Sequence, residues 1–427
     1  MEVQVPRRSV IDLSPLQRSR DFRLLYLGQF VSFFGSMMSY VAMPYVLYQS
    51  TQSTLLTGLL GVIQLVPSIV GGLFGGALAD AVDRRRLIVV CELGMRAIVL
   101  TLGLWIAHLN GGLFQTIAAE KAVYPSAGWI LIAAVSLSIF NGFHRPALEA
   151  LTPMLVESKD LQAVGVLSSI RGNVGAIGGP AFAGILIASG GAAWAFLFDF
   201  LTFAICVVAV LLIKRVPKVA HQSEFSFASV QEGFRYAMSR PELVGTYVVD
   251  IIAMTFSMPS LLFPAVAKSF GGPAYLGWLH SGISIGALVA TLGSRWMMGW
   301  SRHGLVILWA AGLWSVFMIG FGLSSNFYFA MIFLVLAGFA DMVSAVFRQT
   351  LWNQTIPTEL RGRLAGIEMI SYMSGPMLGN TQLGFFSQFI GVQRAITYSS
   401  AIGVCGVLGV ARWLKGFRTY DAKIRNG

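Results

Sequence analysis

Apolar residues in this chain come in long runs, each separated from the next by a short polar or basic break. A helix needs about 20 predominantly apolar residues to cross the hydrocarbon core of a bilayer. By that rule twelve spans follow one another, over 22–48, 54–79, 87–108, 127–152, 161–189, 192–213, 242–267, 273–298, 304–323, 326–355, 363–388 and 392–414. Several are longer than the core requires, which allows tilt without specifying it. The longest break leaves six spans on either side. It divides the chain into an N-terminal six-helix bundle over 1–213, a linker over 214–241 and a C-terminal six-helix bundle over 242–427. Inside the break, Phe227, Val230, Phe234 and Met238 recur at helical spacing. That pattern fits an amphipathic helix on the inner membrane surface, and equally a solvated linker that touches a partner helix.

The two halves echo each other. Arg145 to Thr152 reads RPALEALT in the fourth span and Arg348 to Thr355 reads RQTLWNQT in the tenth. Both are Arg-xx-Leu-xxx-Thr, and Pro153 or Pro357 follows. The next span in each half carries a second echo: GAIGGPAFA over Gly175–Ala183, and SYMSGPMLG over Ser371–Gly379. A soluble helix would lose much stability to the glycines around Pro180. In a membrane, small residues let two backbones approach, and a buried proline is tolerated where neighbours satisfy the freed carbonyls. Gly175, Gly179, Pro180, Gly184, Gly375 and Pro376 are therefore candidate helix-packing positions. Parallel six-helix halves with a site near mid-membrane are a recurring transporter plan.

Composition agrees with the pattern. The 427 residues are 56% hydrophobic and 11% charged, with a mean hydropathy of +0.71. Soluble domains are nearer a quarter charged, so the expected class is an all-α integral membrane protein. The net charge of +11 raises the question of nucleic acid. Its placement answers it: 23 of the 30 Lys and Arg fall on the N-terminal side of the spans, and Lys121, Lys268 and Arg394 are the three on the other. This asymmetry places both termini in the cytoplasm and needs no nucleic-acid partner. Residues 1–23 are polar with five arginines, and the run that follows is too long for a signal h-region, so no cleavable signal is expected. Cys91, Cys206 and Cys405 each lie in an apolar run and read as small buried hydrophobes. No Cys/His cluster suggests a metal, and no cofactor is expected.

Four arginines fall inside spans: Arg96, Arg145, Arg171 and Arg348. So do the acids Glu92, Glu149, Asp199, Asp250, Asp341 and Glu368. A charge at a helix centre costs about 2.5–3.5 kcal/mol on insertion scales, so each is a functional candidate. Glu92 with Arg96, and Arg145 with Glu149, are i,i+4 pairs and read as structural ion pairs. Asp250 and Asp341 have no base close in sequence. An apolar setting favours the protonated form of a carboxyl, as a proton carrier requires. Asp250 and Asp341, with Glu149, are the proton-coupling candidates. Arg145, Arg171, Arg348, Asp199 and Glu368 are candidate substrate contacts or charge relays, an arginine being suited to bidentate contact with an anion. His144 and His280 read as hydrogen-bonded packing, and most tryptophans sit at span ends as interfacial anchors.

Two enzyme readings fail on the residues. No Gly-Lys dipeptide exists, so no Walker A loop forms and ATP is not the direct energy source. Gly282-Ile-Ser284-Ile-Gly286 matches Gly-x-Ser-x-Gly, but it lies inside a span where a nucleophile needs a strand-to-helix turn.

The loop after the second span reads GALADAVDRRR over Gly76–Arg86. It resembles the loop signature of the major facilitator superfamily, with Gly76, Asp80, Arg84 and Arg85 matching and Ala81 and Asp83 departing. The resemblance implies a conformational latch in which the aspartate meets the N-terminus of the eleventh helix, where a carboxylate is stabilised, helped by Arg361 and Arg363. The Gly175–Gly184 stretch is similar to the fifth-helix motif of that superfamily's proton-coupled exporters, with Ala183 in place of a glycine. FRLLYLGQFVSFFGS, LTPMLVESKDLQAVGVL, ASGGAAW and IPTELRGRLAG resemble the enterobactin-exporter and macrolide-efflux subfamily. That family often uses an acid in helix 1; here none follows Asp21, and Gln29, Ser32, Ser36, Ser39 and Tyr40 are the polar residues of that span. The resemblance implies a monomeric inner-membrane transporter that exports an amphipathic small molecule, a siderophore or a drug, in exchange for protons. A lysophospholipid flippase on the same fold is the first rival. A non-transporting membrane sensor is the second; it predicts no net flux and normal function after the Gly-Pro helices are stiffened.

Overall fold

The computed structural model describes residues 12–113, 121–213, 227–293, 297, 299–357 and 360–421. Twelve long helices follow one another: α1 (Arg20–Thr51), α2 (Thr54–Ala81), α3 (Arg84–Leu109), α4 (Ala127–Leu151), α5 (Leu161–Gly190), α6 (Ala192–Leu211), α7 (Pro241–Ser257, resumed as Phe263–Ser269), α8 (Ala274–Leu292), α9 (His303–Leu323), α10 (Phe327–Thr355), α11 (Arg361–Ile390) and α12 (Val392–Trp413). Eleven described segments are long and apolar enough to cross a membrane. The other helix, α11, has the length of a span at 30 residues and carries Glu368, Asn380, Thr381 and Gln382 along it. The breaks are set by local chemistry. Ser19, Ser53, Asp83 and Asn326 accept from backbone N–H groups of the first turns of α1, α2, α3 and α10. Asp83, which departs from the loop signature, is thus the cap of α3. Gly191 joins α5 to α6 at φ +89°, and Gly391 joins α11 to α12 at φ +84°, a conformation a side chain resists.

Packing repeats with the same period as the sequence. In the first half α1 packs on α5 and α6, α3 on α4 and α6, and α2 on α4; in the second α7 packs on α11 and α12, α9 on α10 and α12, and α8 on α10. Two seams join the halves, α2 with α11 and α5 with α8, and the repeat exchanges one for the other. Glycines set the closeness of both. A Cβ on Gly58 would lie 2.9 Å from Cα of Gly384, and one on Gly184 would lie 3.0 Å from Cα of Gly277. Thr54 donates to the Gly384 carbonyl at 3.2 Å, Thr381 to that of Gly58 at 3.0 Å, and Ser281 to that of Ile177 at 2.7 Å. These contacts lie toward the ends of the helices away from the chain termini.

Two expectations need correction. The seventh span is not one helix. Pro259 has no N–H to give the Thr255 carbonyl, and Met258 and Pro259 leave the helical conformation. The freed groups are satisfied from neighbours: Gln382 donates to the Thr255 carbonyl at 3.0 Å, Ser399 to that of Phe256 at 2.6 Å, and Asn380 accepts from the Leu261 N–H at 2.7 Å. Non-helical backbone at membrane depth needs such repair. Cys405 is exposed where Cys91 and Cys206 are buried, because it lies on the outward face of α12. The helix expected in the linker is present as Phe227–Met238, while positions 214–226 lie outside the described residues. Its Tyr236 hydroxyl donates to the Thr355 carbonyl at the end of α10 (2.9 Å), while Phe234 and Met238 stay exposed.

Candidate functional site

The polar residues of the spans gather in two clusters. In the first half, Arg96 on α3 forms an ion pair with Asp199 on α6. It also donates to Ser32 (3.2 Å) and Ser36 (3.1 Å) on α1 and lies 3.5 Å from Glu92. Its guanidinium stacks 4.6 Å over the Phe203 ring. Ser39 donates to the other Asp199 oxygen. His144 on α4 approaches Glu92 to 3.0 Å, without the alignment of a hydrogen bond. Glu92, Arg96, Asp199 and His144 are all buried. The Glu92–Arg96 pair of the sequence is therefore part of a four-helix network. Ser32, Ser36 and Ser39 stand at i, i+4 and i+7, a one-faced stripe visible in the sequence. The His144 contact was not legible, because it depends on how α3 packs on α4.

The second cluster surrounds Arg348 on α10. Arg348 forms a direct ion pair with Asp250 on α7, and Asp341, two turns earlier on α10, lies 3.9 Å from its other terminal nitrogen. The two acids without a sequence-local base thus share one arginine from a distance. Asp341 is 34% exposed at the middle of α10, whereas Asp250 is 7% exposed. Glu368 on α11 is half-buried and within electrostatic reach of Arg348. Beside them Tyr247 and Trp352 pack with ring centroids 5.6 Å apart, and the Trp352 indole donates to Thr246 at 2.9 Å.

The remaining candidates lie elsewhere. Arg145 and Glu149 form their i,i+4 pair at 3.0 Å with both side chains more than half exposed, and Arg145 lies 6.0 Å over Tyr372 on α11 of the other half. The sequence echo thus puts Arg145 in the open and Arg348 in the core. Arg171 is half-buried, with Tyr26 and Cys206 as its electrostatic neighbours. Gly175 and Gly179 face Phe33 and Met37 of α1, Gly184 faces α8, and Gly375 faces Met254 of α7. Pro180 and Pro376 lie inside their helices. In the loop signature Arg84 reaches the Met154 sulfur and Arg85 the Leu211 carbonyl. Gly76 lies within α2; the side chains of Asp80, Arg361 and Arg363 lie outside what the structure describes, and the latch with them. His280, on α8, is buried with Nε2 unpaired, edge-on to Phe263 and to Tyr40 from the opposite half. It is not the hydrogen-bonded packing residue expected, because its neighbours here are ring edges. Among the described residues no group of three His, Cys, Asp or Glu is placed to hold a metal ion.

Comparison with known proteins agrees with this architecture. The profile of a family described as transmembrane secretion effector matches residues 11–422. The chain is 26% identical over 385 residues to the enterobactin exporter EntS of Shigella boydii serotype 4 (strain Sb227), covering 88% of this chain and 87% of that one. The enterobactin exporter of Escherichia coli O81 (strain ED1a) matches to the same extent. Among solved structures, a bacterial homologue of the human lysosomal transporter Spinster, inward-facing and unoccupied, superposes with a TM-score of 0.72 at 14% identity, covering 96% of this chain and 98% of the other. The nucleoside transporter NupG superposes with 0.69 at 11% identity, covering 92% and 98%.

Proposed function

This chain belongs to the transmembrane secretion effector family of the major facilitator superfamily, a multi-pass membrane transporter, and from that premise we propose that it exports an amphipathic small molecule from the cytoplasm in exchange for protons. The observation that carries the reading is the Arg348 cluster: one guanidinium paired with buried Asp250 and only 3.9 Å from a partly exposed Asp341. An arginine between two carboxylates can exchange partners when one of them takes a proton. Protonation of Asp341 or Asp250 then neutralises a charge in the second half and alters how α10 is held to α7. The halves over 1–213 and 242–427 rock about the glycine seams, with 214–241 as the linker, and a loop latch at Gly76, Asp80, Arg84 and Arg85 holds one end. Both halves are in one chain, which supports a monomer. The lysine and arginine bias supports an inner membrane with both termini in the cytoplasm. The relatives' name puts catecholate siderophores among the leading substrates, beside hydrophobic drugs.

The test is reconstitution in liposomes with a trapped pH dye, followed by addition in turn of enterobactin, a macrolide and a lysophospholipid. Proton movement evoked by enterobactin or the macrolide, and abolished by Asp341→Asn or Asp250→Asn, is expected. Movement of lysophospholipid alone, with no proton signal, would replace antiport by lipid flipping. Coupled transport unchanged in both variants would remove the cluster from the coupling mechanism.

A further inference from the structure

Four ionisable side chains of the first half are closed off together: Glu92 and Arg96 on α3, His144 on α4 and Asp199 on α6, which are 2%, 4%, 7% and 1% exposed. None of them takes part in the proton exchange proposed at Arg348. Their charges do not cancel. Arg96 brings one positive charge, Glu92 and Asp199 bring two negative ones, and a neutral His144 adds nothing. The network then carries one uncompensated negative charge, which a low-dielectric interior penalises heavily.

The elements packed around the network do not supply the missing charge. α1 faces it with Ser32, Ser36 and Ser39, which are neutral, and with Gln29, which donates to the Cys206 sulfur at 3.3 Å. α3 adds Cys91 and α6 adds Cys206, thiols that gain no positive charge. Arg145 on α4 is in its exposed pair with Glu149. Arg171 on α5 has Tyr26 and Cys206 as its electrostatic neighbours. Asp80 is the one charged residue of α2; its side chain is outside the described residues, and an acid there would only deepen the deficit. The other bases of the first half and linker outside the described residues, Arg7, Arg8, Lys214, Arg215 and Lys218, lie beyond the ends of the spans. Among the described residues no group of three His, Cys, Asp or Glu is placed to hold a metal ion, so the balancing charge is a proton. Three groups compete for it. Asp199 already has both oxygens engaged, by Arg96 and by Ser39. Glu92 lies 3.5 Å from Arg96 and 3.0 Å from His144 Nε2, a nitrogen with no hydrogen-bond partner. Of these last two the imidazole is the stronger base, at about 6.5 against about 4.3 for the unperturbed side chains.

We propose that the first half binds one proton of its own, held as a His144 imidazolium against Glu92, and that this proton makes the junction of α1, α3, α4 and α6 electrically neutral. His144 is a positioning residue here, acting through Glu92 and Arg96 on the helices they join. With every member of the network closed off, the proton is resident, whereas Asp341, 34% exposed, is open to exchange.

Solid-state NMR of the full-length protein in lipid bilayers, with labelled histidine ring nitrogens, tests it at about pH 8, where an ordinary imidazole is neutral. The His144 signals are identified through the backbone links to Phe143 and Arg145. The expected result is the imidazolium pattern, with both ring nitrogens protonated, in the wild-type protein. Glu92→Gln should abolish that pattern, because Arg96 and Asp199 then balance each other and no proton is needed. A neutral His144 in the wild-type protein overturns the proposal, and that reading requires no variant to fold. An imidazolium that survives Glu92→Gln overturns it too, since the charge deficit would not be what holds the proton. So does a protonated-carboxyl infrared band that disappears in Asp199→Asn, which would put the proton on Asp199. The measurement needs no flux, so its failure leaves the exchange at Arg348 standing, and the failure of that exchange leaves the His144 proton standing.

Discussion

Arg96 and Arg145 each stand four residues from a glutamate on their own helix, and there the similarity stops. Arg96 is buried and answered by Asp199, Glu92 and two serines. Arg145 and Glu149 are 53% and 67% exposed. Removing one partner of a buried pair leaves an uncompensated charge, at a cost of about 3–5 kcal/mol. An exposed pair contributes roughly 0–1 kcal/mol. Asp199→Asn should therefore lower the thermal midpoint of the detergent-solubilised protein strongly, and Glu149→Gln hardly at all. Equal losses in a thermal-shift comparison would mean that the Arg96 network is not the stabilising element its burial indicates. The i,i+4 spacing of both pairs is plain in the sequence, whereas the difference in burial is not, since it depends on which side of α3 and α4 meets a neighbour.

At the scale of one helix, α7 shows how a break is kept inside a bilayer. Asn380, Gln382 and Ser399 supply the partners that Pro259 and its neighbours lose. A buried group left unsatisfied costs about 1–3 kcal/mol. Asn380→Leu should speed hydrogen exchange at the Leu261 amide and its neighbours while leaving α9 protected. Uniform exchange across both would show the break to be held by packing alone. Two glycines contrast in the same way. Gly391 has φ +84° and ψ 155°, so Gly391→Ala is strained, by roughly 1–3 kcal/mol. Gly165 is within α5 with open space where a Cβ would go, so Gly165→Ala should be neutral or stabilising by roughly 0.5–1 kcal/mol. Thermal shifts of opposite sign check the pair.

Across the whole molecule the glycine seams decide how closely the halves meet. A Cβ on Gly277 would stand 3.0 Å from Cα of Ala181, within α5 of the opposite half. Backbone cannot yield as a side chain can, so Gly277→Leu should part the halves at the end away from the termini. Spin labels at Ser53 and Gln388, whose side chains lie 3.5 Å apart across the α2–α11 seam, report it in a Cys405→Ser background. A longer label distance in Gly277→Leu than in the parent is expected. An unchanged distance would mean that the seams yield locally and do not set the spacing of the halves.

Much of this protein is determined by its sequence alone, because a bilayer imposes length and polarity on every span. Twelve apolar runs, the repeat that relates Arg145 to Arg348 and Pro180 to Pro376, and the small-residue helices are local patterns with one physical reading each. Tertiary structure decided the rest. Asp250 appears unpaired in sequence, yet Arg348 answers it, because α10 crosses α7 at that depth. His144 reaches Glu92 only because α3 packs on α4. The seventh span reads as continuous, since hydropathy does not register the missing N–H of Pro259 or the side chains of α11 and α12 that compensate for it. The Arg348–Asp250 and Arg96–Asp199 pairs and the backbone repair are contacts between helices far apart in the chain. No periodicity within one helix can report them.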